Sequence, residues 1–417
     1  MMDTLMVGSL GEIALSAASL SGQIFFILMV LNFGLGGGAA VLTAQFWGKK
    51  DKESVKKTLS MISKFSLVVS LIFMFAALMF PEALLKLYTN ERAVIEAGVP
   101  YIRLVALMYP IFSVMTTTSI ILRTVGEVKI SAIANGISFG LNVLFNYIFI
   151  FGKFGAPAMG LTGAAVGTII ARFVEGTIVL SYLLKYEKKI DFNLKDYFGF
   201  DKDIFKKYIK IGVNVLISDA LLVAGLTSLT MIMGRMGSEM VAANSISSIV
   251  MQLATILVGG LASASSIMTG NNVGKGNYEK ARNEGITFLI VGIAVGIIGA
   301  IIIVVLKPVM ISFYNVSDST KEIAYQLMNT SALIVLFQTP GGILTKGVLR
   351  GGGDTKFLMI ADVLFLWVIS IPLGFMAGLV WTLPPAIVFL CLKIDEIIKC
   401  LWCAVRVFGD KWIVNIT

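Results

Sequence analysis

The chain alternates between long apolar runs and short polar segments. A helix needs roughly 20 apolar residues to cross a bilayer, and eleven runs reach that length, whereas an apolar stub at 1–8 does not. The runs lie at 14–46, 57–88, 97–124, 130–151, 160–186, 204–234, 239–272, 280–312, 321–348, 357–378 and 383–408. This pattern predicts an all-α polytopic membrane protein.

The second half of the chain repeats the landmarks of the first half. Three positions recur 226 residues later, namely Gly34 at Gly260, Thr43 at Thr269 and Gly48 at Gly274. A near-constant offset indicates a duplicated helix bundle, and membrane proteins of this kind are usually transporters with a site between the repeats. The repeat therefore predicts two homologous six-helix bundles, at 1–190 and 208–417, joined by a cytoplasmic linker at 191–207.

The repeat also predicts how long the first helix should be. The second half offers 26 residues, 208–233, before Gly234, whereas the matching Gly8 follows seven residues. Seven residues cannot cross a hydrocarbon layer of about 30 Å. We therefore expect that most of the first helix is missing here and that a full-length form has twelve spans.

Composition and charge agree with a membrane protein. The chain is 57% hydrophobic and 14% charged, with a mean hydropathy of +0.88, whereas soluble domains carry about 25% charged residues. The net charge of +9 could suggest nucleic acid, but lysine and arginine concentrate in every second loop, most densely at 185–210. Because basic loops remain on the cytoplasmic side, this distribution predicts a multi-pass protein of the cell inner membrane whose linker and C-terminus are cytoplasmic. It argues against a nucleic-acid partner.

No enzyme motif is apparent in the sequence. The chain has no histidine, so the commonest general base is absent, and it has no Gly-x-x-x-x-Gly-Lys-Ser/Thr phosphate loop. Its three cysteines, Cys391, Cys400 and Cys403, all lie in the last apolar run. Without histidine or a second cysteine pair, we interpret them as apolar filler rather than a metal or redox site. We expect no catalysis, metal or cofactor.

Acidic residues inside apolar runs are the first candidates for a binding site, because a charge in the hydrocarbon region is costly and usually functional. Asp219 lies mid-run with no basic residue within a turn, which predicts a carboxylate that binds a proton or a cation. Asp3, in the stub, and Asp362, in the run 357–378, are further candidates.

Amide side chains supply three more candidates. Asn142 and Asn146 lie four residues apart and so share one helix face, from which they could line a polar cavity or bond to a neighbouring helix. Gln338 precedes Thr339-Pro340-Gly341-Gly342. Such a helix break is tolerated where a cavity or a partner satisfies the freed carbonyls.

Other charged residues in the runs have spacings that favour structural pairs. Glu175 lies three residues after Arg172, which predicts an ion pair within one helix. A cluster near the end of the chain is interpreted as mutually paired and structural: Lys393, Asp395, Glu396 and Lys399.

Several motifs, in order along most of the length, resemble one transporter family. They are Asp3-Thr4-Leu5-Met6-Val7-Gly8, Thr43-Ala44-Gln45-Phe46-Trp47-Gly48, Leu122-Arg123-Thr124-Val125-Gly126, Pro157-Ala158-Met159-Gly160-Leu161, Val241-Ala242-Ala243-Asn244 and Leu349-Arg350-Gly351-Gly352-Gly353-Asp354-Thr355. The family is multidrug and toxic compound extrusion (MATE), and the resemblance is to its bacterial branch near the DNA-damage-inducible type. It implies two lobes that rock around a central cavity and export a small, often cationic, drug or metabolite. It also implies antiport with Na⁺ or H⁺ and usually a monomer in the lipid bilayer.

The resemblance also implies roles for individual residues. The family's acidic residue in the first helix falls on Asp3, and that in the seventh falls on Asp219. The family's aspartate in the fifth helix falls on Asn146, whose amide cannot release a proton. The acid that some members have in the tenth helix has no counterpart near Gln338. Ion coupling is therefore expected to rest on Asp219, with Asp3 second.

Two alternatives remain at this stage. A flippase or exporter of a lipid-linked or other metabolite on the same architecture would favour a cavity rich in arginine and lysine, whereas the charges inside these runs are mainly acidic. An intramembrane enzyme would need a facing pair such as Asp219 and Asp362, but it would not explain the duplication.

Overall fold

The computed structural model describes residues 6–199, 201–314 and 316–417. Asp3, one of the candidate residues, lies outside this range. Within it the chain forms helices and connecting turns and no strand, and one isolated bridge joins Gly353 and Ile413. The chain divides into two compact units, Met1–Thr43 with Asp51–Lys206 and Ala44–Lys50 with Lys207–Thr417.

From Glu12 onward, the described part of the first unit contains seven helices and one 3₁₀ turn. They are α1 (Glu12–Gly48), α2 (Lys52–Met79), α3 (Pro81–Lys86), α4 (Arg92–Ala106), α5 (Tyr109–Thr124), α6 (Lys129–Phe151), α7 (Gly160–Lys185) and the turn Asp196–Phe198. Local chemistry sets several of these ends. Asp51 caps α2 by accepting a bond of 3.0 Å from the Ser54 backbone N–H, and Gly152 ends α6 in the left-handed region at φ 66°.

The second unit contains nine α-helices and three π-helical segments among the described residues. They are α8 (Lys202–Met236), α9 (Ser238–Ala254), α10 (Ile256–Gly274), α11 (Tyr278–Ser312), α12 (Asp318–Ile343), π1 (Leu344–Leu349), α13 (Thr355–Val363), π2 (Leu364–Ser370), α14 (Ile371–Phe375), π3 (Met376–Val380), α15 (Pro385–Leu392) and α16 (Ile394–Phe408). Single π turns inside helices occur frequently at functional sites, which draws attention to the region from α12 to α15.

The helices agree with the apolar runs of the sequence. In the part of the chain that the structure describes, eight helices are long and apolar enough to cross a membrane, and there are up to ten spans if two bent pairs, α4 with α5 and α9 with α10, each count as one. The last run, 383–408, forms α15 and α16, which break at Lys393. The predicted fold class, an all-α polytopic membrane protein, is confirmed.

The boundary between the units differs in detail from the boundary expected from the sequence. Residues 44–50, which the sequence places in the first bundle, group with the second unit, and 191–206, expected as part of a linker, group with the first. Helix α1 therefore begins in the first unit and ends in the second.

The duplicated glycine motif explains why 44–50 belong to the second unit. A Cβ on Gly48 would lie 2.1 Å from the carbonyl oxygen of Asn271, and a Cβ on Gly274 would lie 2.0 Å from that of Gln45. The two repeated segments therefore cross at Gly48 and Gly274, and each glycine lies against a backbone carbonyl of the other segment. We call this contact the glycine crossing; its short distances leave room only for glycine.

The C-terminal segment folds back onto the same crossing. Trp412 is fully buried, and the Val414 backbone N–H donates to the Gly352 carbonyl over 2.8 Å. Gln45 bonds to this segment twice, donating to the Val414 carbonyl (3.1 Å) and accepting from the Ile416 N–H (2.9 Å). The end of α1 is thus tied to the second unit by side-chain bonds as well as by glycine packing.

Candidate functional site: a charged cavity in the second unit

A cavity of about 280 Å³ lies among α8, α10, α12, π1, α13 and α16 of the second unit. Its apolar walls include Leu222, Val258 and Leu358. Six charged side chains also line it: Asp219, Lys346, Arg350, Asp362, Glu396 and Lys399. Since charges at membrane depth are costly unless they face a cavity or each other, this cavity is the candidate site.

Asp219 lies midway along α8 and is paired. The Nη2 atom of Arg350 lies 2.9 Å from Asp219 Oδ1, and the two side chains are 15% and 21% exposed. The sequence shows no basic residue within a turn of Asp219, because its partner, Arg350, directly follows π1, 131 residues later. The Nε atom of Arg350 is buried and has no hydrogen-bond partner among the described residues.

Asp362 belongs to a second charged group in the same cavity. Ser218 donates to Asp362 Oδ2 over 2.5 Å, and Lys399 Nζ lies 3.4 Å from Asp362 Oδ1. The same ammonium lies 3.8 Å from a carboxylate oxygen of Asp395 and 3.8 Å from one of Glu396. Three carboxylates therefore share one lysine, whose side chain is only 7% exposed.

This placement changes the interpretation of the cluster on α16. Sequence reasoning treated Glu396 and Lys399 as structural because their spacing allows pairing along one helix. They do pair, but both also line the cavity. The available signal was that charged residues interrupt an apolar run, which marks function as often as structure.

Gln338 and Lys346 complete the polar wall of the cavity. Gln338 Oε1 is buried and accepts no hydrogen bond among the described residues. The helix break expected at 339–342 is absent: α12 runs through Pro340 to Ile343 and continues into π1. Thr345 donates to the Gly341 carbonyl over 2.9 Å. Lys346 is exposed to the cavity and forms no ion pair within the described part of the chain. Sequence reasoning did not single out Lys346.

The other candidates belong to the first unit. Asn142 donates to Thr168 Oγ1 over 3.1 Å, which joins α6 to α7. Asn146 is fully buried and lies so close to Gly167 that a Cβ there would be 2.3 Å from Asn146 Oδ1. The structure thus gives both asparagines contacts between helices and places neither in the charged cavity.

Arg172 and Glu175 form an ion pair within α7. Arg172 Nη1 lies 2.7 Å from Glu175 Oε2, and the guanidinium carbon lies 5.7 Å from the centre of the Phe112 ring. Glu175 is buried, whereas Arg172 is about one-third exposed. The pair anchors α7 against α5.

Sequence reasoning missed a neutral network in the first unit. The Asn32 amide donates to Ser113 Oγ (2.9 Å) and to the Leu28 carbonyl (2.8 Å), and its Oδ1 accepts from Ser66 Oγ (2.7 Å). Asn32 is 0% exposed, so α1, α2 and α5 are joined by a buried, satisfied set of bonds. The serines of α2 recur every three or four residues, at 60, 63, 66 and 70, and that spacing was the available signal.

Comparison with known proteins agrees with this architecture. A protein-family model described as MatE matches residues 1–148 and 215–376. A probable multidrug resistance protein NorM from Thermotoga maritima is 28% identical over 381 residues, covering 90% of this chain and 80% of its own. The multidrug resistance protein MdtK from Photorhabdus laumondii is 24% identical over 387 residues, covering 92% and 84%. A crystal structure described as MATE in the bent conformation has a TM-score of 0.89 at 20% identity and shares the fold over 98% of this chain and 91% of its own. The resemblance and the fold class expected from the sequence are thereby confirmed.

Proposed function

Because the chain belongs to the MatE family, a family of membrane transporters and not enzymes, we propose that it exports small, drug-like molecules by antiport with Na⁺ or H⁺. Relatives that match about nine-tenths of its length are named multidrug resistance proteins. We place this multi-pass protein, as a monomer, in the cell inner membrane with the 191–207 segment and the C-terminus cytoplasmic. The coupling ion is the only cofactor that the proposal needs.

The charged cavity of the second unit is the observation that supports this proposal. Asp219 and Asp362 project from different helices into one space whose wall also contains apolar side chains, among them Leu222, Val258 and Leu358. Such a wall fits the body of an organic cation, and a carboxylate fits its charge. Because one carboxylate cannot neutralise two cations at once, a bound proton or Na⁺ and a bound organic cation exclude each other. Alternating access between the two bundles then turns this exclusion into antiport.

Within this scheme Asp219 is the principal coupling residue. Asp362 and Gln338 line the same cavity and are assigned to cation and substrate contacts. Asn142, which is half-buried in the first unit, is proposed as a substrate contact, because an amide can solvate a substrate but cannot exchange a proton. Asn146 is fully buried, so the same proposal for it requires that α6 and α7 separate around it. Asp3 is proposed as a second carboxylate for the coupling ion.

A second candidate function is export of an anionic or lipid-linked metabolite. One observation favours it: the cavity presents Lys346 and Arg350 beside its carboxylates, and lysine and arginine are the usual ligands of phosphate groups. The exporter of cations remains the first candidate, because Arg350 and Lys399 are each paired with an acidic group of the same wall.

Ethidium transport in membrane vesicles that contain the chain tests the proposal. We expect efflux driven by an imposed Na⁺ gradient or an imposed pH gradient, and the effective gradient identifies the coupling ion. Asp219→Asn should abolish this efflux, whereas Asp318→Asn, which changes an almost fully exposed carboxylate, should not. Unchanged efflux in Asp219→Asn would remove Asp219 from the mechanism, and transport of anionic but not cationic dyes would favour the second candidate.

A further inference from the structure

The carboxylate of Asp219 is occupied by a group of the protein itself. Its ion pair with Arg350 is the one interaction that Asp219 makes among the described residues. Both side chains line the cavity, so a cation that enters meets a carboxylate that is already neutralised. Any cation that binds to Asp219 must therefore take the place of the guanidinium.

The guanidinium is held by few bonds. One of its five N–H groups reaches Asp219, through Nη2, and the buried Nε has no partner among the described residues. An arginine that pairs with a carboxylate through two parallel hydrogen bonds is held more strongly and in a fixed orientation. The contact between Arg350 and Asp219 is thus suited to exchange.

The backbone around Arg350 is closely packed, whereas its side chain borders the cavity. A Cβ on Gly347 would lie 1.9 Å from Ser265 Oγ, and a Cβ on Gly351 would lie 2.3 Å from the Ser266 carbonyl oxygen. Both glycines therefore lie in close contact with α10, with no room for a side chain on either side of Arg350. Movement away from Asp219 is therefore confined to the flexible side chain.

Building on the proposed function, we propose that Arg350 is a resident counter-cation, which occupies Asp219 whenever no transported cation is bound and which each transported cation displaces. The pair keeps a carboxylate at membrane depth neutralised between binding events, where an unpaired charge would be costly. It also weakens the binding of every competing cation, because the free energy of the Arg350 contact must be overcome first. Arg350 thereby sets the affinity of the site by competing with the transported cation for Asp219.

Binding of dansylcadaverine, a fluorescent organic cation, to the purified full chain in detergent tests this role. We expect Arg350→Gln to bind the probe about tenfold more tightly than the wild type, the order expected when a competing charge-assisted hydrogen bond is removed. Arg350→Lys, which keeps a positive charge, should bind nearly as weakly as the wild type. Asp219→Asn should lose the tight binding, and adding Arg350→Gln to it should restore nothing, because the two changes act through one contact.

The outcomes separate this inference from the proposed function. Arg406 pairs with Asp354 over 2.8 Å in the same unit and does not line the cavity, so Arg406→Gln is a matched control that should leave the affinity unchanged.

If Arg350 instead positions Asp219 for binding, Arg350→Gln will bind the probe more weakly, and the resident counter-cation is then refuted while the proposed function stands. Equal probe binding by Asp219→Asn and the wild type would refute both. If Arg350→Gln does not purify as a folded protein, Arg350→Ala answers the same question with the same expected sign.

Discussion

The two units arise from the same duplicated helices, yet their polar interiors differ in chemistry. In the first unit the buried polar groups around Asn32 are amides and hydroxyls that bond to one another. In the second unit the corresponding interior contains a cavity whose charged groups, among them Asp219, Arg350 and Lys399, pair across helices. In the first unit the partly buried ion pair of Arg172 with Glu175 lies along one helix instead.

This difference is the reason for placing the proposed coupling in the second unit. In the neutral network every bond would have to break before the helices could rearrange. A fully hydrogen-bonded network of this kind therefore rigidifies the helices that it joins. Ion pairs that border a cavity can exchange one partner for an entering ion at little net cost in charge. The proposed coupling accordingly lies in the second unit.

The largest expected effect comes from removing the shared lysine of the charged cluster. Lys399→Met leaves three carboxylates around one point with no counter-charge, and we expect it to lower the free energy of unfolding by about 3–5 kcal/mol. Thermal unfolding of the purified protein in detergent measures this. The loss should be smaller at low pH, because a protonated carboxyl group needs no counter-charge.

Lys346→Met serves as the control for that variant. Lys346 lines the same cavity but has no ion pair among the described residues, so its loss should change stability little. Equal destabilisation by the two variants would mean that general solvation of the cavity, and not pairing at Lys399, stabilises this region.

The neutral network of the first unit should be less sensitive than the charged cluster. Asn32→Ala leaves two buried hydroxyls without their partner, and we expect a loss of about 1–3 kcal/mol. Asn142→Ala, which breaks one bond to Thr168 at a half-buried position, should cost less. A larger loss of unfolding free energy for Asn32→Ala than for Lys399→Met would contradict the expectation that the charged cluster of the second unit is the more sensitive of the two.

Substitutions at the glycine crossing test whether Gly48 and Gly274 contribute equally to the stability of the protein. Gly48→Ala and Gly274→Ala each place a methyl group against a backbone carbonyl, and each should destabilise the protein by about 1–3 kcal/mol. Gly136→Ala in α6 is the control, because nothing lies within 4 Å of its Cβ position. Helix propensity predicts a small gain there of up to about 1 kcal/mol. Unequal losses of unfolding free energy at Gly48 and Gly274 would show that the two glycines do not contribute equally to this contact.

The smallest effect is expected at the ion pair along α7. Glu175→Gln retains the shape of the side chain and removes a pair whose arginine is partly exposed to solvent, so the change should be below about 1 kcal/mol. Ethidium efflux should also persist, because the proposed coupling does not use this pair. Loss of efflux with normal stability would instead assign a coupling role to the first unit.

The sequence predicted those features that depend on spacing along one chain segment. The eleven apolar runs, the duplication and the Arg172–Glu175 pair all follow from periodicity and local distance, and the structure contains each of them. The partner of Asp219 could not be found in this way. Arg350 lies at the end of an apolar run, where a basic residue is interpreted as a signal of cytoplasmic topology, and nothing local shows that its side chain turns back into the bundle.

Two further features depended on tertiary packing. The grouping of 44–50 with the second unit results from a crossing between segments 226 residues apart in the sequence, which the repeat suggested as similarity but not as contact. The position of Glu396 and Lys399 in the cavity wall depends on the break at Lys393. Hydrophobic periodicity does not predict the direction in which a helix continues after such a break.

The most direct test of the central claim is ion flux driven by substrate in proteoliposomes that contain the chain. An imposed ethidium gradient should drive Na⁺ or H⁺ in the opposite direction in the wild type, recorded with an ion-sensitive dye, and Asp219→Asn should abolish that flux while Glu175→Gln retains it. Undiminished ethidium-driven flux in Asp219→Asn would contradict the assignment of coupling to the charged cavity of the second unit.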